Sequence, residues 1–201
     1  MQEECIAAMK PGAFFYEIHN LAGRIAVDGL LKLGVLRGTR EELIAAGTIS
    51  AFFTHGLGHH VGLEVHDVVG DAPLLVSAAS ETVGGFMRGK RTMMTPDKLI
   101  AMNKLSAATS AEKQRTVLRA GMILTIEPGL YFDRTYLNGF FRDDPVHSRL
   151  IEWDVVERYY PVGGSRTEDC ILVTESGHED LTTAPKCQEL LDVINGRKSR
   201  Q

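Results

Sequence analysis

Four of the chain's seven histidines lie between residues 55 and 66, in the run His55-Gly-Leu-Gly-His59-His60-Val-Gly-Leu-Glu-Val-His66, interleaved with Gly56, Gly58 and Gly62. Glycine at this density disfavours a helix and marks places where backbone must approach something closely. A segment so rich in imidazoles is poorly suited to a hydrophobic core and well suited to a site. Two further segments, Thr125-Ile-Glu127-Pro-Gly129 and Arg166-Thr-Glu168-Asp169, add carboxylates at strand-like spacing. Together the three supply the residue types that hold a divalent metal.

Composition narrows the setting. A chain of 201 residues with 44% hydrophobic content can bury a core of its own. A net charge of -4 provides no basic field for nucleic acid or an anionic bilayer, so neither partner is expected. No run of eighteen apolar residues occurs, and Met1-Gln-Glu-Glu-Cys5 lacks the basic flank and apolar stretch of a signal peptide, which makes the cytoplasm the expected location. Cys5, Cys170 and Cys187 are odd in number and lack CxxC spacing, so they read as reduced thiols rather than disulfides or zinc ligands.

Residues 2–9 read as the tail of a helix stopped at Lys10-Pro-Gly12. Phe15, Ile18, Leu21, Ile25, Leu30 and Leu31 follow a 3.6-residue period, predicting an amphipathic helix over 15–33 closed by Gly34. Thr39-Arg-Glu-Glu42 has the spacing of a capping box and opens a further short helix. From about 70 to 117 periodicity weakens and the composition turns to Ala, Ser, Thr, Met and Lys, as expected of an insertion of loop and short helix. Met122–Glu127 and Glu168–Thr174 read as strands, and 186–195 as a closing helix.

Alternate residues of a strand share a face, so Ile123, Thr125 and Glu127 point one way, as do Arg166, Glu168 and Cys170. An extended chain likewise puts His55 and His59 on one side. Two carboxylates and an imidazole can then converge on one cation, a donor set suited to manganese, zinc or cobalt. Each residue also has a plainer reading. Glu127 before Pro128-Gly129 can be an acid at a strand end, and Glu168 with Arg166 an ion pair across a sheet face. His60 is expected on the opposite face, and His19, His147 and His178 at the surface. Asp169 is expected to hydrogen-bond backbone or a neighbouring strand, and Cys170 to act as a small buried hydrophobe.

The three segments resemble the proline-specific peptidases of the creatinase and methionine-aminopeptidase superfamily, in particular the Xaa-Pro aminopeptidase and prolidase branch. Phe53 through Asp67 is similar almost letter for letter, and Leu124–Phe132 and Pro161–Asp169 through Leu181–Lys186 resemble the fungal members. The resemblance implies an α/β (α+β) pita-bread fold, a curved and mostly antiparallel sheet backed by helices. It also implies a metal-dependent aminopeptidase that releases the N-terminal residue from peptides with proline second, by attack of a metal-activated water. On this resemblance His59, Glu127 and Glu168 are metal ligands, His55 lines the substrate pocket, His66 contacts substrate and the developing oxygen, and Arg166 supports the site. The implied cofactor is Mn2+, two ions per subunit on five ligands, and the implied partners are the peptide and a possible second copy in a homodimer.

The chain departs from that pattern in one respect. Two aspartate ligands, expected on paired strands ahead of the first helix, have no counterpart here, since the only acids upstream of Lys10 are the adjacent Glu3 and Glu4. The chain therefore reads as the C-terminal part of a catalytic domain, with the N-terminal domain and first catalytic strands absent. Three ligands hold at most one metal, water filling the rest, and full activity is not expected of the chain alone. An exposed sheet edge and uncovered apolar surface are expected as well. The other readings are an Xaa-Pro dipeptidase, and a catalytically inactive remnant serving as a binding module.

Overall fold

The core forms around the long second helix and the residues that end it. In a computed structural model, which describes residues 1–67, 73–75, 95–103 and 109–197, α1 (Gln2–Ala7) stops before Lys10-Pro11-Gly12, where Gly12 takes φ +83. The helix α2 (Phe15–Lys32) buries Phe15, Ile18, Ala22, Ala26, Val27 and Leu30 along one stripe and ends before Gly34 at φ +69. The helix α3 (Arg40–Ala46) is capped by Thr39, whose hydroxyl accepts the Glu42 N–H at 3.1 Å, as the capping-box spacing predicts. Phe52 and Phe53 follow it into the core.

Within the segment expected as an insertion, the structure describes two short helices, α4 (Pro96–Asn103) and α5 (Ser110–Gln114). Leu99 and Met102 of α4, with Leu74 and Leu75, are buried in the main core. Residues 68–72, 76–94 and 104–108 of the sequence lie outside the described residues, and the loop expected there goes with them.

The strands are shorter and more broken than the sequence suggests. The observed elements are β1 (Ile123–Ile126), β2 (Gly129–Tyr131), β3 (Gly164–Arg166), β4 (Asp169–Val173) and β5 (His178–Asp180). One antiparallel sheet has the order β1-β4-β5, and β2 pairs with β3 in another. What reads as one strand ending at Glu127 is broken at Pro128, which has no N–H to give a ladder, and its partner is broken at Thr167-Glu168. The helices α6 (Arg134–Phe140) and α7 (Trp153–Tyr159), missed in the sequence, lie in the connection from β2 to β3.

The segment 57–61 covers the other edge of β1. Val61 N–H donates to Ile123 O, Thr125 N–H to His59 O and Glu127 N–H to Leu57 O, at 3.0, 2.9 and 2.8 Å. The outer edge of β5 carries His178, Glu179 and Asp180, polar groups that discourage further pairing. The last helix, α8 (Cys187–Ile194), exposes Leu190, Leu191 and Ile194. Among the described residues no helix is long and apolar enough to cross a membrane.

Two histidines expected at the surface are buried. His19 on α2 is 0% exposed: its Nε2–H donates to Asn103 Oδ1 at 2.9 Å, and Asn103 Nδ2 donates to Ser50 Oγ at 2.9 Å. His147 is buried with Nδ1 3.0 Å from Thr48 Oγ1. Each is tied inside by a bond to a residue distant in sequence, His19 through Nε2 and His147 through Nδ1, while His19 Nδ1 is buried without a partner among the described residues. His178 is half-buried and donates from Nδ1 to Met9 O at 2.8 Å. Asp169 faces the interior of β4 and bonds side chains rather than backbone, accepting from Gln2 Nε2 and, at 2.9 Å, from Lys186 Nζ. Burial lowers the Lys186 pKa, but the bonds to Asp169 and Asp180 outweigh it and the net shift is upward.

Burial pushes the His19 pKa down to about 4 from 6.5, against the smaller upward effect of the Asn103 bond. The unfolded chain therefore binds a proton that the folded chain refuses between these values, so the His19 contribution is complete above pH 6.5 and is lost as pH falls toward 4. We expect a loss of roughly 3 kcal/mol across that window. Urea midpoints measured from pH 7 to 4 should fall more steeply for the wild type than for His19→Gln; parallel profiles would contradict this.

Candidate metal centre

The coincident breaks in the two sheets create the site. Glu127 stands between β1 and β2, and Glu168 between β3 and β4, so both carboxylates sit where the paired strands change partners. His59 is brought beside them by the hydrogen bonds of 57–61 to β1. That close approach needs Gly58, where a Cβ would lie 1.9 Å from Thr125 O.

One ligand atom from each of His59, Glu127 and Glu168 lies within 4.8 Å of the other two. Ligands bonded to one cation at roughly 2.0–2.2 Å are at most about 4.4 Å apart, so small side-chain adjustments suffice to close the cluster on an ion. The His59 tautomer fits as well. Its Nδ1 lies 2.9 Å from His60 O, which can only accept, so Nδ1 carries a proton and Nε2 is the ring nitrogen available to a cation. That Nε2 is 3.3 Å from Glu127 Oε1. A cation bound at Nε2 would lie within reach of that oxygen. His60 contributes its carbonyl to this arrangement.

Arg166 reaches both carboxylates, with Nε 3.9 Å from Glu127 Oε2 and an Nη 3.7 Å from Glu168 Oε2. Tyr131 first, then Glu127 and Glu168, raise its already high pKa. His66 stacks obliquely on His59, ring centroids 4.1 Å apart, from an exposed loop. His55 stands farther back. Its Nδ1 is 2.7 Å from Gly56 O and its Nε2 3.0 Å from the Tyr131 hydroxyl. The Gly56 carbonyl can only accept, so His55 Nδ1–H donates to it, and in the neutral ring Nε2 then accepts the Tyr131 hydroxyl proton.

The structure thus brings His59, Glu127 and Glu168 together with His66 and Arg166 against them, while His55 meets Tyr131 farther back. Sequence reasoning missed Tyr131 and Thr125. Tyr131 had a legible signal in Gly129 and Gly164, where an added Cβ would lie 2.6 Å from the Tyr131 hydroxyl and 2.5 Å from its Cδ1, so the two glycines form the slot for its ring. Thr125 is 1% exposed and takes the His59 N–H on its hydroxyl at 2.9 Å.

Residues 1–175 match the family described as metallopeptidase family M24. The chain is 53% identical, over 98% of its length, to a probable Xaa-Pro aminopeptidase of Metarhizium robertsii, and 52% identical, over 98%, to one of Colletotrichum graminicola. It spans 39% of the length of each of these relatives. Among solved structures it is similar to Escherichia coli aminopeptidase P with the inhibitor Pro-Leu, at 28% identity and a TM-score of 0.58, covering 97% of this chain and 32% of that one. The Zn-substituted E. coli enzyme in complex with product gives 27% identity and a TM-score of 0.59, over 99% and 33%. This likeness assigns the pita-bread fold, here a mixed helical and antiparallel-sheet structure.

A divalent cation that binds the folded chain alone stabilises it by mass action, by about 2.7 kcal/mol at a hundredfold excess over Kd. Mn2+ or Zn2+ should therefore raise the melting temperature of the wild type and leave that of His59→Ala unmoved. An equal rise in both would place the cation elsewhere.

Proposed function

Because this chain belongs to metallopeptidase family M24, we propose that it carries three of the metal ligands of a proline-specific aminopeptidase, acting on peptides with proline in second position. The observation that supports this best is the convergence of His59 Nε2, Glu127 and Glu168, with Arg166 beside both carboxylates. The relatives, each a probable Xaa-Pro aminopeptidase, suggest the substrate class.

His59, Glu127 and Glu168 would hold the cation, and the hard oxygen donors with one nitrogen favour manganese. When bound, that ion supplies Lewis acidity and lowers the pKa of water. Arg166 offsets part of the negative charge of the carboxylate pair and orients them. His66, against the His59 ring and open to solvent, is placed to hold a proton or hydrogen-bond the substrate. His55, with Tyr131 donating into Nε2, presents a polar wall beside the cluster. An Xaa-Pro bond suits a dedicated site because its nitrogen has no hydrogen and the ring holds φ near -65°.

The test is release of the N-terminal residue from Xaa-Pro-Xaa peptides by the 201-residue chain with Mn2+, beside Xaa-Pro dipeptides and Xaa-Ala-Xaa peptides. We expect turnover only where proline is second, reduced at least a hundredfold in Glu168→Ala. Faster cleavage of the dipeptide assigns a prolidase instead. Absence of turnover from folded, metal-loaded protein overturns the catalytic reading for this chain and leaves a binding module.

A further inference from the structure

Thr125 stands in the middle of a metal-binding strand, and its hydroxyl is spent on the ligands. In an ordinary antiparallel rung, facing residues exchange both N–H and C=O groups. Here Thr125 N–H donates to His59 O at 2.9 Å, but the return bond does not reach the Thr125 carbonyl. That carbonyl lies against Gly58. The His59 N–H instead donates to Thr125 Oγ1 at 2.9 Å. Having accepted there, the hydroxyl directs its own proton to Glu127 Oε1 at 3.2 Å, since residues two apart on a strand share a face. Glu127 Oε1 is also the oxygen that faces His59 Nε2 at 3.3 Å.

A hydroxyl buried in a strand between Leu124 and Ile126 is costly without partners. Among the described residues both of its hydrogen bonds go to members of the donor cluster. We infer that Thr125 is a positioning residue for the metal centre: one hydroxyl fixes the backbone of the histidine ligand and the rotamer of the glutamate ligand relative to each other. The inference rests on the metal-binding reading above and goes beyond it by assigning a residue that touches neither metal nor substrate. Valine has the same shape without the oxygen. In its place Glu127 Oε1 loses the hydroxyl donor that Thr125 supplies, and the His59 N–H loses its acceptor.

The test is titration of the 201-residue chain with Co2+, read by its visible absorption, and with Mn2+, read by the electron paramagnetic resonance of the free ion. Wild type, Thr125→Val, Thr125→Ala and Thr125→Ser are compared, with circular dichroism of each metal-free protein. Outer residues of metal sites typically contribute 10–100-fold in affinity. We expect a loss of that size in Val and Ala with an altered Co2+ band, while Ser, which keeps the hydroxyl, stays within about threefold and retains the wild-type band. The Ala arm carries the comparison if the Val protein does not fold, and the Ser arm stands on its own, since loss of affinity there as large as in Ala overturns the inference. Unchanged affinity and spectrum in a folded Val or Ala protein overturns it too. A wild type that binds neither ion defeats the metal reading itself, a result separable from the failure of Thr125 alone.

Discussion

The short ladder between residues 57–61 and β1 is the contact on which the site depends. His59 and Glu127 are 68 positions apart in sequence, and three backbone hydrogen bonds, Val61 to Ile123, Thr125 to His59 and Glu127 to Leu57, set them side by side. Gly58 permits the approach because any Cβ there would strike the Thr125 carbonyl. Without this pairing the histidine cluster would be an exposed polar loop and Glu127 an acid at a strand end. With it, His59 Nε2 and a carboxylate oxygen face each other at 3.3 Å.

The second constraint is that the two paired strands break at the same level. Pro128 interrupts the β1 to β2 direction, and Thr167-Glu168 interrupts β3 to β4, so β1 stays with β4 and β2 with β3. A continuous pair would bury Glu127 and Glu168 among neighbours on a sheet face. The break frees both side chains to converge, and Arg166 at the end of β3 lies beside both.

Much of this was legible from residue patterns, for physical reasons that also explain the failures. The period of α2, the Thr39 cap and the alternation through Ile123, Thr125 and Glu127 are local, and local signals survive without knowledge of partners. The histidine-glycine segment announced a close approach, and the structure supplies it at Gly58. β2 and β3 were illegible because each is three residues long and opens with glycine. The burial of His19 and His147 was illegible because their partners, Asn103 and Thr48, lie 84 and 99 positions away. Thr125 looked like any β-branched residue in a strand, and only the place of its hydroxyl between His59 and Glu127 distinguishes it.

The central claim, that the ladder and the strand breaks aim three side chains at one cation, is tested most directly by anomalous diffraction from crystals of this chain grown with Mn2+. The account predicts a single strong peak within bonding distance of His59 Nε2 and of carboxylate oxygens from Glu127 and Glu168, at roughly 2.0–2.2 Å. A well-ordered structure with no peak there, or with its peak on other residues, would contradict it.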